Sequence, residues 1–388
     1  MQQTISTEKL PLLLWLDELD ADTLTQACNL ANLPCAFHHV ALMADAHVGY
    51  GMPIGGVLAT EDAVIPNAVG VDIGCGMCAV RTGLGGLDMG DLKKIIAALR
   101  QAIPLGFGHH KRPRPETAMP AISGLDLPVV AEEFASARCQ LGTLGGGNHF
   151  LEIQQGSDNR IWLMVHSGSR NLGFKVAAHY NKLAVQRAAN QGREAIPKAW
   201  QLAMLPVEDR LGQQYLAEME YCVAFARANR ASMMAVFIEI VAEMSGCASF
   251  EAPLDVAHNY AALEEHFGHR VWVHRKGATR AFAGELGIIP GSQGSSSYIV
   301  RGLGNAQSFM SCSHGAGRVL GRKEAQRVLD LQAEIKKLDA LQVVHSLRHR
   351  ADLEEAPGAY KDINRVLANQ RDLIEVVVEL RPLAVLKG

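Results

Sequence analysis

The chain has 388 residues, of which 48% are hydrophobic and 20% are charged, as is typical of a globular protein with a substantial core. Its formal net charge of −3 excludes the global positive field of a strongly basic protein, so any nucleic-acid contact would have to come from local patches. No apolar run approaches the roughly 18 residues that cross a bilayer, and we expect neither a transmembrane helix nor a signal peptide.

The first half of the chain is predicted to alternate between strands and helices. Short apolar runs separated by glycine predict strands through much of residues 36–82. Apolar residues recur at helical spacing in residues 91–102, which predicts an amphipathic helix. Residues 105–125 combine glycine, proline and basic side chains, and this composition predicts a flexible loop that faces the substrate.

The second half is predicted to contain longer helices. Further strands are expected at residues 161–165, 271–274 and 297–300, and further helices at residues 172–189, 211–244, 323–347 and 362–369. The segment 211–244 is rich in alanine, methionine and glutamate. This composition favours core packing over a cofactor-binding role.

The sequence around His314 is the most informative part of the chain. The histidine lies among small residues in SHGAGR (313–318), and small residues let a phosphate chain approach the backbone closely. A neutral imidazole can attack phosphorus and later leave, and Arg318 can pair with phosphate oxygens through two parallel hydrogen bonds. The motif indicates a histidine nucleophile, although a histidine in an ordinary turn has the same local sequence.

A scattered set of side chains has the chemistry of a metal site. One carboxylate, one thiol and three imidazoles are its members: Asp72, Cys75, His149, His166 and His258. This mixture of hard and soft ligands suits Mn²⁺, Fe²⁺, Co²⁺ or Zn²⁺. A thiolate can also bridge two ions, and two-metal sites stabilise both the attacking and the leaving oxygen in phosphoryl transfer.

Other interpretations of these residues remain open from their spacing alone. A histidine at the end of a strand is often a satisfied polar group, and a lone cysteine often fills space in a core. Cys75 and Cys78 also form a Cys-x-x-Cys pair, which is typical of zinc or redox sites. No second cysteine pair follows at the spacing of a zinc ribbon, so we favour a mixed ligand set.

Short motifs in a fixed order give the chain a resemblance to a known family. In chain order they are MADAHVGYG (43–51), PIGGV (53–57), VGVDIGCG (69–76), LGTLGGGNHF (141–150), HSGSR (166–170), HNY (258–260), RKGA (275–278), IPGS (289–292), SHGAGR (313–318), AYKDI (359–363) and KG (387–388). With these motifs the chain resembles the RtcB family of RNA-splicing and RNA-repair ligases. We therefore expect an α+β fold in which a single large RtcB-like domain, residues 1–388, has mixed sheets and helices around a central metal cleft.

The resemblance implies a role for each candidate in the cleft. Two Mn²⁺ ions that share the thiolate are expected on the residues that match the family's ligands: Asp72, Cys75, His149, His166 and His258. His314 matches the histidine that attacks the α-phosphate of GTP, expels pyrophosphate and becomes guanylylated. GMP then passes to an RNA 3′-phosphate, and a 5′-hydroxyl attacks that activated end to seal the strand. A 2′,3′-cyclic phosphate is first opened to the 3′-phosphate.

Matching positions also imply a GTP pocket. Guanine is expected between Glu152, Tyr360 and Lys387, because a carboxylate can accept from its amino edge and an ammonium can donate to its carbonyl oxygen. Contacts to the phosphates, or positions near the nucleotide, are expected at Asn148, Asn259, Ser292, Gly315, Ala316, Gly317 and Arg318. Gln293 departs from the family pattern, in which methionine often follows Pro-Gly-Ser, and it puts the strength of cofactor binding in doubt.

Substrate and partners follow from the same resemblance. The expected substrate is RNA with 3′-phosphate or 2′,3′-cyclic phosphate ends and 5′-hydroxyl ends, met in RNA repair or tRNA splicing, and an archease-type activator is a candidate partner. RNA contacts are expected at Arg170 beside the metal site and at Lys111 and Arg112, although those two could equally belong to a solvated loop. Eight cysteines, with a thiolate ligand among them, suit a reducing cytoplasm, so we expect a cytoplasmic protein without membrane contact.

Two other functions are compatible with the same residues. A two-metal phosphoesterase or metallohydrolase that acts on RNA ends would need the ligands but no covalent nucleotide. A non-catalytic RNA-binding paralogue would need neither. The presence of His314 together with the whole ligand set argues against the second alternative.

Overall fold

The computed structural model describes residues 1–121, 126–190 and 196–388. Over this range the chain forms a mixed α+β fold, as the sequence predicted, with helices packed against two large sheets. Part of the predicted loop, residues 122–125, lies outside the described range. Among the described helices, none combines the length and the apolar character needed to cross a bilayer.

The first large sheet has six strands. In the order of the sheet they are β1 (Gln3–Ile5), β2 (Leu12–Leu14), β3 (Ala36–Tyr50), β4 (Met52–Thr60), β12 (His269–Lys276) and β11 (Asn259–His266). β2 and β3 pair in parallel, and the other neighbours pair in antiparallel. The long β3–β4 hairpin confirms the strands predicted in residues 36–82.

The second large sheet has seven strands, all antiparallel to their neighbours. In the order of the sheet they are β10 (Leu254–Ala257), β6 (Gly76–Arg81), β8 (Ile161–Ser167), β7 (Phe150–Gly156), β17 (Ile374–Lys387), β15 (Ser297–Gly302) and β14 (Leu286–Ile289). Every residue of β8 is buried, which explains its uninterrupted apolar run. Two short sheets pair β5 (Ala63–Val64) with β9 (Leu205–Pro206) and β13 (Ala278–Arg280) with β16 (Ser311–Ser313).

The helices confirm most of the predicted ones to within a few residues. They are α1 (Ala21–Ala31), α2 (Pro66–Val69), α3 (Met89–Ala102), α4 (Pro128–Gln140), α5 (Arg170–Asn190), α6 (Arg210–Ser245), α7 (Arg322–Val328), α8 (Leu331–Ala340) and α9 (Ile363–Asn369). Short 3-10 helices occur at Glu116–Ala118, Lys198–Trp200, Ala306–Ser308, Arg350–Glu355 and Pro357–Ala359. The side chains Leu92, Ile95, Ile96 and Leu99 of α3 are buried on one face, as their spacing indicated.

The single helix predicted over residues 323–347 is wrong in its extent. The structure has α7, a break, and then α8, which ends at Ala340. The break occurs at Asp330, whose carboxylate accepts the backbone N–H of Ala333 at 2.7 Å and so caps a new helix. Beyond α8 the chain is extended, because the N–H of Val344 donates to the carbonyl of Leu383 at 2.9 Å, in β17.

Two buried polar residues of α6 hold together the segments that carry the candidate ligands. The side-chain oxygen of Asn229 accepts the N–H groups of Gly142 and Thr143 at 2.7 and 3.1 Å. The guanidinium of Arg230 donates to the carbonyls of Gly74 and Ser167 at 2.9 and 3.0 Å. Asn229 and Arg230 thus supply hydrogen-bond partners to buried backbone groups of three separate segments, so α6 is a scaffold for the site.

Candidate metal centre and nucleophile

The five candidate ligands lie side by side. The Sγ atom of Cys75 is 3.4 Å from Nε2 of His149 and 3.3 Å from Nε2 of His166, and the ligand atoms of these three residues all lie within 4.8 Å of one another. Asp72 joins them, with its Oδ2 atom 3.0 Å from Nε2 of His149. The ring of His258 lies 5.3 Å from that of His166, measured between centroids. Residues almost two hundred positions apart in the chain therefore share one cluster.

The strand order of the second large sheet explains this convergence. β10, β6, β8 and β7 are consecutive neighbours in that sheet. Cys75 immediately precedes β6, His149 precedes β7, His258 follows β10, and His166 lies near the end of β8. In the antiparallel register His166 pairs with both Met77 and Phe150. The candidate ligands therefore lie at the same edge of four adjacent strands.

Backbone carbonyls fix the orientation of two imidazoles. Nδ1 of His149 faces the carbonyl of Leu144 at 3.0 Å, and Nδ1 of His166 faces the carbonyl of Asn148 at 3.1 Å. A carbonyl only accepts, so each Nδ1 carries the hydrogen and each Nε2 keeps its lone pair. Both lone pairs point toward the sulfur of Cys75, as they would around a metal ion.

Burial sets the protonation of the cluster. It lowers the pKa of His166 and His258 well below the usual value, so both rings are neutral at neutral pH and can act as ligands. Burial also raises the pKa of the Cys75 thiol well above its usual range. A cation bound beside the sulfur would stabilise the thiolate form of Cys75, because it supplies an opposite charge. The donor set thus fits a metal ion with mixed oxygen, nitrogen and sulfur ligands.

His314 lies next to this cluster and is held by a buried carboxylate. Its ring is 4.8 Å from the ring of His258 between centroids. Oδ2 of Asp45, in β3, is 2.7 Å from Nδ1 of His314 and also accepts the backbone N–H groups of His314 and Gly315 at 3.1 and 3.2 Å. Burial opposes the ionisation of Asp45, yet the adjacent His314 holds the pKa of that carboxyl below its usual value. Nδ1 therefore carries a hydrogen, and in the neutral ring Nε2 has the lone pair.

Glycine is required where the His314 loop meets the β3–β4 hairpin. Gly317 has a φ of +74°, and a Cβ atom there would lie 2.3 Å from the carbonyl oxygen of Asp45. Gly317 of SHGAGR thus serves the packing of the loop against Asp45. Close approach of a phosphate chain to the small residues of this loop stays a prediction.

Asn259 connects the metal loop to the surroundings of His314. Its side chain donates to the carbonyl of Asp72 at 3.0 Å and accepts the N–H of Gly277 at 2.8 Å. A Cβ atom at Gly277 would lie 3.0 Å from Cε1 of His314. Both ends of the Asn259 amide thus contact backbone groups, and a contact of this side chain with phosphate stays a prediction.

Three of the predicted nucleotide residues, Arg318, Tyr360 and Lys387, contact Glu355, a residue that the sequence did not point to. This buried carboxylate contacts Nη1 of Arg318 at 3.1 Å, Nζ of Lys387 at 3.4 Å and the hydroxyl of Tyr360. Burial opposes its ionisation, but Lys387, Tyr360 and the two arginines Arg318 and Arg322 hold the pKa of Glu355 below its usual value. The guanidinium of Arg318 also donates to the carbonyls of Leu320 and Glu354, so it is bound by protein groups.

Glu152 and Lys387 lie on adjacent strands, beside this network. In the register of β7 and β17, Lys387 pairs with Phe150 and Val385 pairs with Glu152. Nζ of Lys387 is 3.4 Å from the carbonyl of Asn148 and 5.4 Å from the centre of the Phe150 ring. Burial raises the pKa of Glu152 to about 8, and its Oε1 atom has no hydrogen-bond partner among the described residues. An unpartnered buried carboxyl beside a lysine suits a ligand with both donors and acceptors.

The remaining nucleotide candidates lie in separate loops of the chain. Ser292 forms a turn with Ser295, whose hydroxyl accepts the N–H of Ser292 at 2.7 Å. Gln293 is buried and donates to the carbonyl of Glu355 at 2.8 Å, so it supports the Glu355 segment. Ala316 is buried and Asn148 is half-buried.

Two surfaces carry the residues predicted to contact RNA. Arg170 begins α5 and donates to the hydroxyl of Thr143 and the carbonyl of Gly106, both at 3.3 Å. Lys111 and Arg112 are exposed in the preceding basic loop. Gly106 donates its N–H to the carbonyl of Gly145 at 3.0 Å, so this loop packs against the segment that leads to His149.

Asp45 and Glu355 are the two residues of the site that sequence reasoning missed. Asp45 lies in the motif MADAHVGYG, but its partner His314 is 269 positions away in the chain. The only available signal was an acidic residue in an apolar strand, which is unusual because burial of a lone carboxylate is costly. Glu355 gave no comparable signal, because it follows Glu354 in a segment rich in charge.

Comparisons with known proteins agree with this geometry. A family model described as tRNA-splicing ligase RtcB matches residues 26–127 and 119–388. The chain is similar to the RNA-splicing ligase RtcB of Escherichia coli (strain K12), with 37% identity over 412 residues that cover 100% of the chain and 99% of the relative. It is 34% identical to the tRNA-splicing ligase RtcB of Pyrobaculum aerophilum, over 96% of the chain and 93% of that relative. It is 33% identical to the RNA-splicing ligase RtcB of Mycobacterium tuberculosis, over 94% of the chain and 100% of that relative.

Proposed function

Because the chain belongs to the RtcB family, we propose that it is an RNA ligase that depends on GTP and Mn²⁺. Its substrates are RNA 3′-phosphate or 2′,3′-cyclic phosphate ends and 5′-hydroxyl ends, and its reaction passes through a covalent histidine–GMP intermediate. Residues 1–388 act as one ligase domain. The pairing of Lys387 in β17 with Phe150 in β7 supports this, because it links the end of the chain to the site.

The residues that would hold two Mn²⁺ ions are those of the sulfur-centred cluster: Asp72, Cys75, His149, His166 and His258. The Nε2 atoms of His149 and His166, 3.4 and 3.3 Å from the Cys75 sulfur, support a site in which the Cys75 thiolate would be a ligand of the ions. Bound ions would neutralise negative charge on the phosphates during attack and departure. The buried Nδ1 of His258, which has no partner among the described residues, is also consistent with a missing ligand.

His314 supplies the nucleophile. Its Nε2 lone pair attacks the α-phosphorus of GTP, a nitrogen–phosphorus bond forms, and the bridging oxygen leaves with its electron pair as pyrophosphate. The imidazole gains positive charge in this step. Asp45, 2.7 Å from Nδ1, holds the ring in the correct tautomer and stabilises that charge without taking the proton.

The two later steps consume the adduct. An oxygen of the RNA 3′-phosphate attacks the phosphorus of the adduct, and the bond to His314 breaks, so the ring regains its lone pair. The 5′-hydroxyl oxygen then attacks the 3′-phosphorus and a phosphodiester bond forms. Its proton passes to the solvent, and GMP leaves with the electron pair of the broken phosphorus–oxygen bond. A cyclic end is first opened by water to the 3′-phosphate.

The guanine ring is proposed to lie against Glu152, Lys387 and Tyr360. The unpartnered buried oxygen of Glu152 and the ammonium of Lys387 offer complementary groups to the guanine edge. Adenine would leave both groups unpaired. The triphosphate would then extend toward Asn148, Ser292 and the Gly315–Gly317 loop, with Asn259 and Arg318 supporting the backbone around it.

One observation carries the proposal: the ring of His314 is held by a buried carboxylate, 4.8 Å from a ring of the metal cluster. A phosphoesterase that uses the same ligands would need no nucleophilic histidine in that position. The geometry therefore favours ligation over simple hydrolysis.

The test is an end-joining assay with purified protein, GTP, Mn²⁺ and two labelled RNA strands with 3′-phosphate and 5′-hydroxyl ends. Ligation predicts a joined strand, its loss in His314→Ala, and its retention in His269→Ala, which removes an exposed imidazole outside the cluster. Release of inorganic phosphate from the 3′ end without joining, equally in wild type and His314→Ala, would support the phosphoesterase instead. The same assay with added archease-type protein tests the proposed activator.

The proposed biological setting follows from the end chemistry and from the cysteines. RNA repair or tRNA splicing fits the proposed end chemistry, and the names of the relatives include both RNA-splicing and tRNA-splicing ligases. The eight cysteines are all free, and one of them is the proposed thiolate ligand. A reducing compartment such as the cytoplasm would keep that thiolate available.

A further inference from the structure

Phe107 is an aromatic residue without a packing partner. Its side chain is 101% exposed, the largest value among the described apolar residues. An apolar ring left in water forgoes the free energy that burial would return. Both faces of this ring are therefore open to a ligand.

The ring is presented by a fixed turn. The N–H of Gly108 donates to the carbonyl of Leu105 at 2.9 Å, which closes a turn with Gly106 and Phe107 in the middle. Gly106 has a φ of +57° and donates its N–H to the carbonyl of Gly145 at 3.0 Å. Both the turn and its attachment are thus set by backbone hydrogen bonds, so the position of the Phe107 backbone relative to the cluster is fixed.

This turn adjoins the candidate metal centre. Gly145, to which it is bonded, lies four residues before His149. The carbonyl of Gly106 also accepts from Nη2 of Arg170 at 3.3 Å, and Arg170 lies four residues after His166. Phe107 is therefore anchored to both segments that carry the histidines facing Cys75.

The chain that follows Phe107 is basic and also anchored. Lys111 and Arg112 are exposed, while the neighbouring His110 is bonded through its N–H to the carbonyl of Cys139 at 2.9 Å. The side chain of His110 contacts the carbonyl of Gly142 at 3.2 Å. An exposed ring with nearby cations is the combination by which proteins bind single-stranded nucleic acid without reading its sequence.

We propose that Phe107 is a stacking platform for an unpaired RNA base beside the strand break, and that Lys111 and Arg112 hold the adjacent phosphates. This inference rests on the proposed function, because it assumes that RNA ends enter the cleft. An isolated exposed ring, four and five residues before two exposed cations in the chain, suits a base and its phosphates better than a protein partner, which would need a contiguous apolar patch.

The test compares RNA affinity in Phe107→Ala, Phe107→Trp and a control, Leu303→Ala, which truncates another exposed apolar side chain that is 47% exposed. The probe is a single-stranded RNA with a 3′-phosphate and a fluorescent base analogue at its last positions, bound to Mn²⁺-loaded protein without GTP. We expect about tenfold weaker binding for Phe107→Ala, near wild-type binding for Phe107→Trp and for the control, and quenching of the analogue only when Phe107 or Trp is present. Loss of less than threefold in Phe107→Ala, or failure of Trp to restore binding, would overturn the stacking role.

Salt dependence separates stacking from charge. Phe107→Ala should weaken binding by the same factor at every salt concentration, whereas Lys111→Ala should lower the slope of log affinity against log salt by about one unit. A changed slope in Phe107→Ala would contradict the assignment.

Guanylylation separates this inference from the proposed function. GTP-dependent labelling of His314 should be unchanged in Phe107→Ala. Wild-type protein that neither labels with GTP nor binds RNA would overturn the ligase proposal itself. Wild-type protein that labels and seals while Phe107→Ala binds RNA normally would overturn only the role of Phe107.

Discussion

Replacement of Asp45 by asparagine should slow guanylylation greatly while leaving the metal cluster intact. The change keeps the size of a side chain that is 0% exposed and removes its charge. During attack, positive charge develops on a ring whose Nδ1 lies 2.7 Å from the Asp45 carboxylate. For charge centres about 4 Å apart and an effective dielectric constant of about 20, the lost attraction is about 4 kcal/mol, which corresponds to roughly a thousandfold in rate. The asparagine oxygen can keep the contacts of Oδ2 with Nδ1 and with the two backbone N–H groups, so the change removes the charge and keeps the tautomer of the ring.

The assay is single-turnover labelling of the protein by GTP at saturating GTP and Mn²⁺, with the metal content measured on the same samples. Asp22→Asn, which neutralises an exposed carboxylate in α1, is the matched control and should label at the wild-type rate. A rate for Asp45→Asn within tenfold of wild type would refute the assigned role. So would a slow rate that is fully explained by lost metal.

Three further outcomes are expected. Cys75→Ala should lose bound Mn²⁺ and all guanylylation, because Cys75 belongs to the candidate metal cluster. Cys78→Ala should keep both, because Cys78 packs in an apolar cluster. Loss of metal from Cys78→Ala, measured by elemental analysis, would favour the Cys-x-x-Cys interpretation. Lys387→Ala should weaken GTP binding about tenfold without changing metal content, and unchanged GTP affinity would remove Lys387 from the pocket. Burial raises the pKa of Glu152 from 4.5 to about 8 in the folded protein. Between these two pH values the folded protein keeps a proton that the unfolded chain loses. The free energy of unfolding is therefore highest below pH 4.5 and decreases as the pH rises to 8. Urea unfolding should therefore show the advantage of Glu152→Gln growing between about pH 5 and pH 8, by up to about 5 kcal/mol, and an advantage independent of pH would contradict the buried state.

Residue spacing predicted the helices and strands that are determined by the sequence of the segment itself. The spacing of Leu92, Ile95, Ile96 and Leu99 predicted α3, since one buried face is enough to define an amphipathic helix. The same reasoning failed at Asp330, because apolar residues continue on both sides and only the capping hydrogen bond ends one helix and starts another. The spacing of apolar residues indicates which face of a helix is buried, but it does not indicate where one helix ends and the next begins.

The composition of the site could be predicted from motifs, but its connections could not. The histidines at 149, 166 and 258 were named as a ligand set, and strand order brings them together at one sheet edge. The pair of Asp45 with His314 depends on how the β3–β4 hairpin packs against a loop 269 positions later. Likewise, the sequence does not distinguish an ordered Lys387 from one in a solvated terminal segment. In the structure Lys387 pairs with Phe150 of β7, and its Nζ atom lies 3.4 Å from Glu355.

The most direct test of the account is the chemical identity of the residue that captures GMP. Protein incubated with GTP and Mn²⁺ should be digested under alkaline conditions, which preserve a phosphoramidate, and its peptides mapped by mass spectrometry. We expect one added GMP on the peptide that contains His314, lost on mild acid treatment and absent without Mn²⁺. An adduct on another residue, or none in active metal-loaded protein, would contradict it.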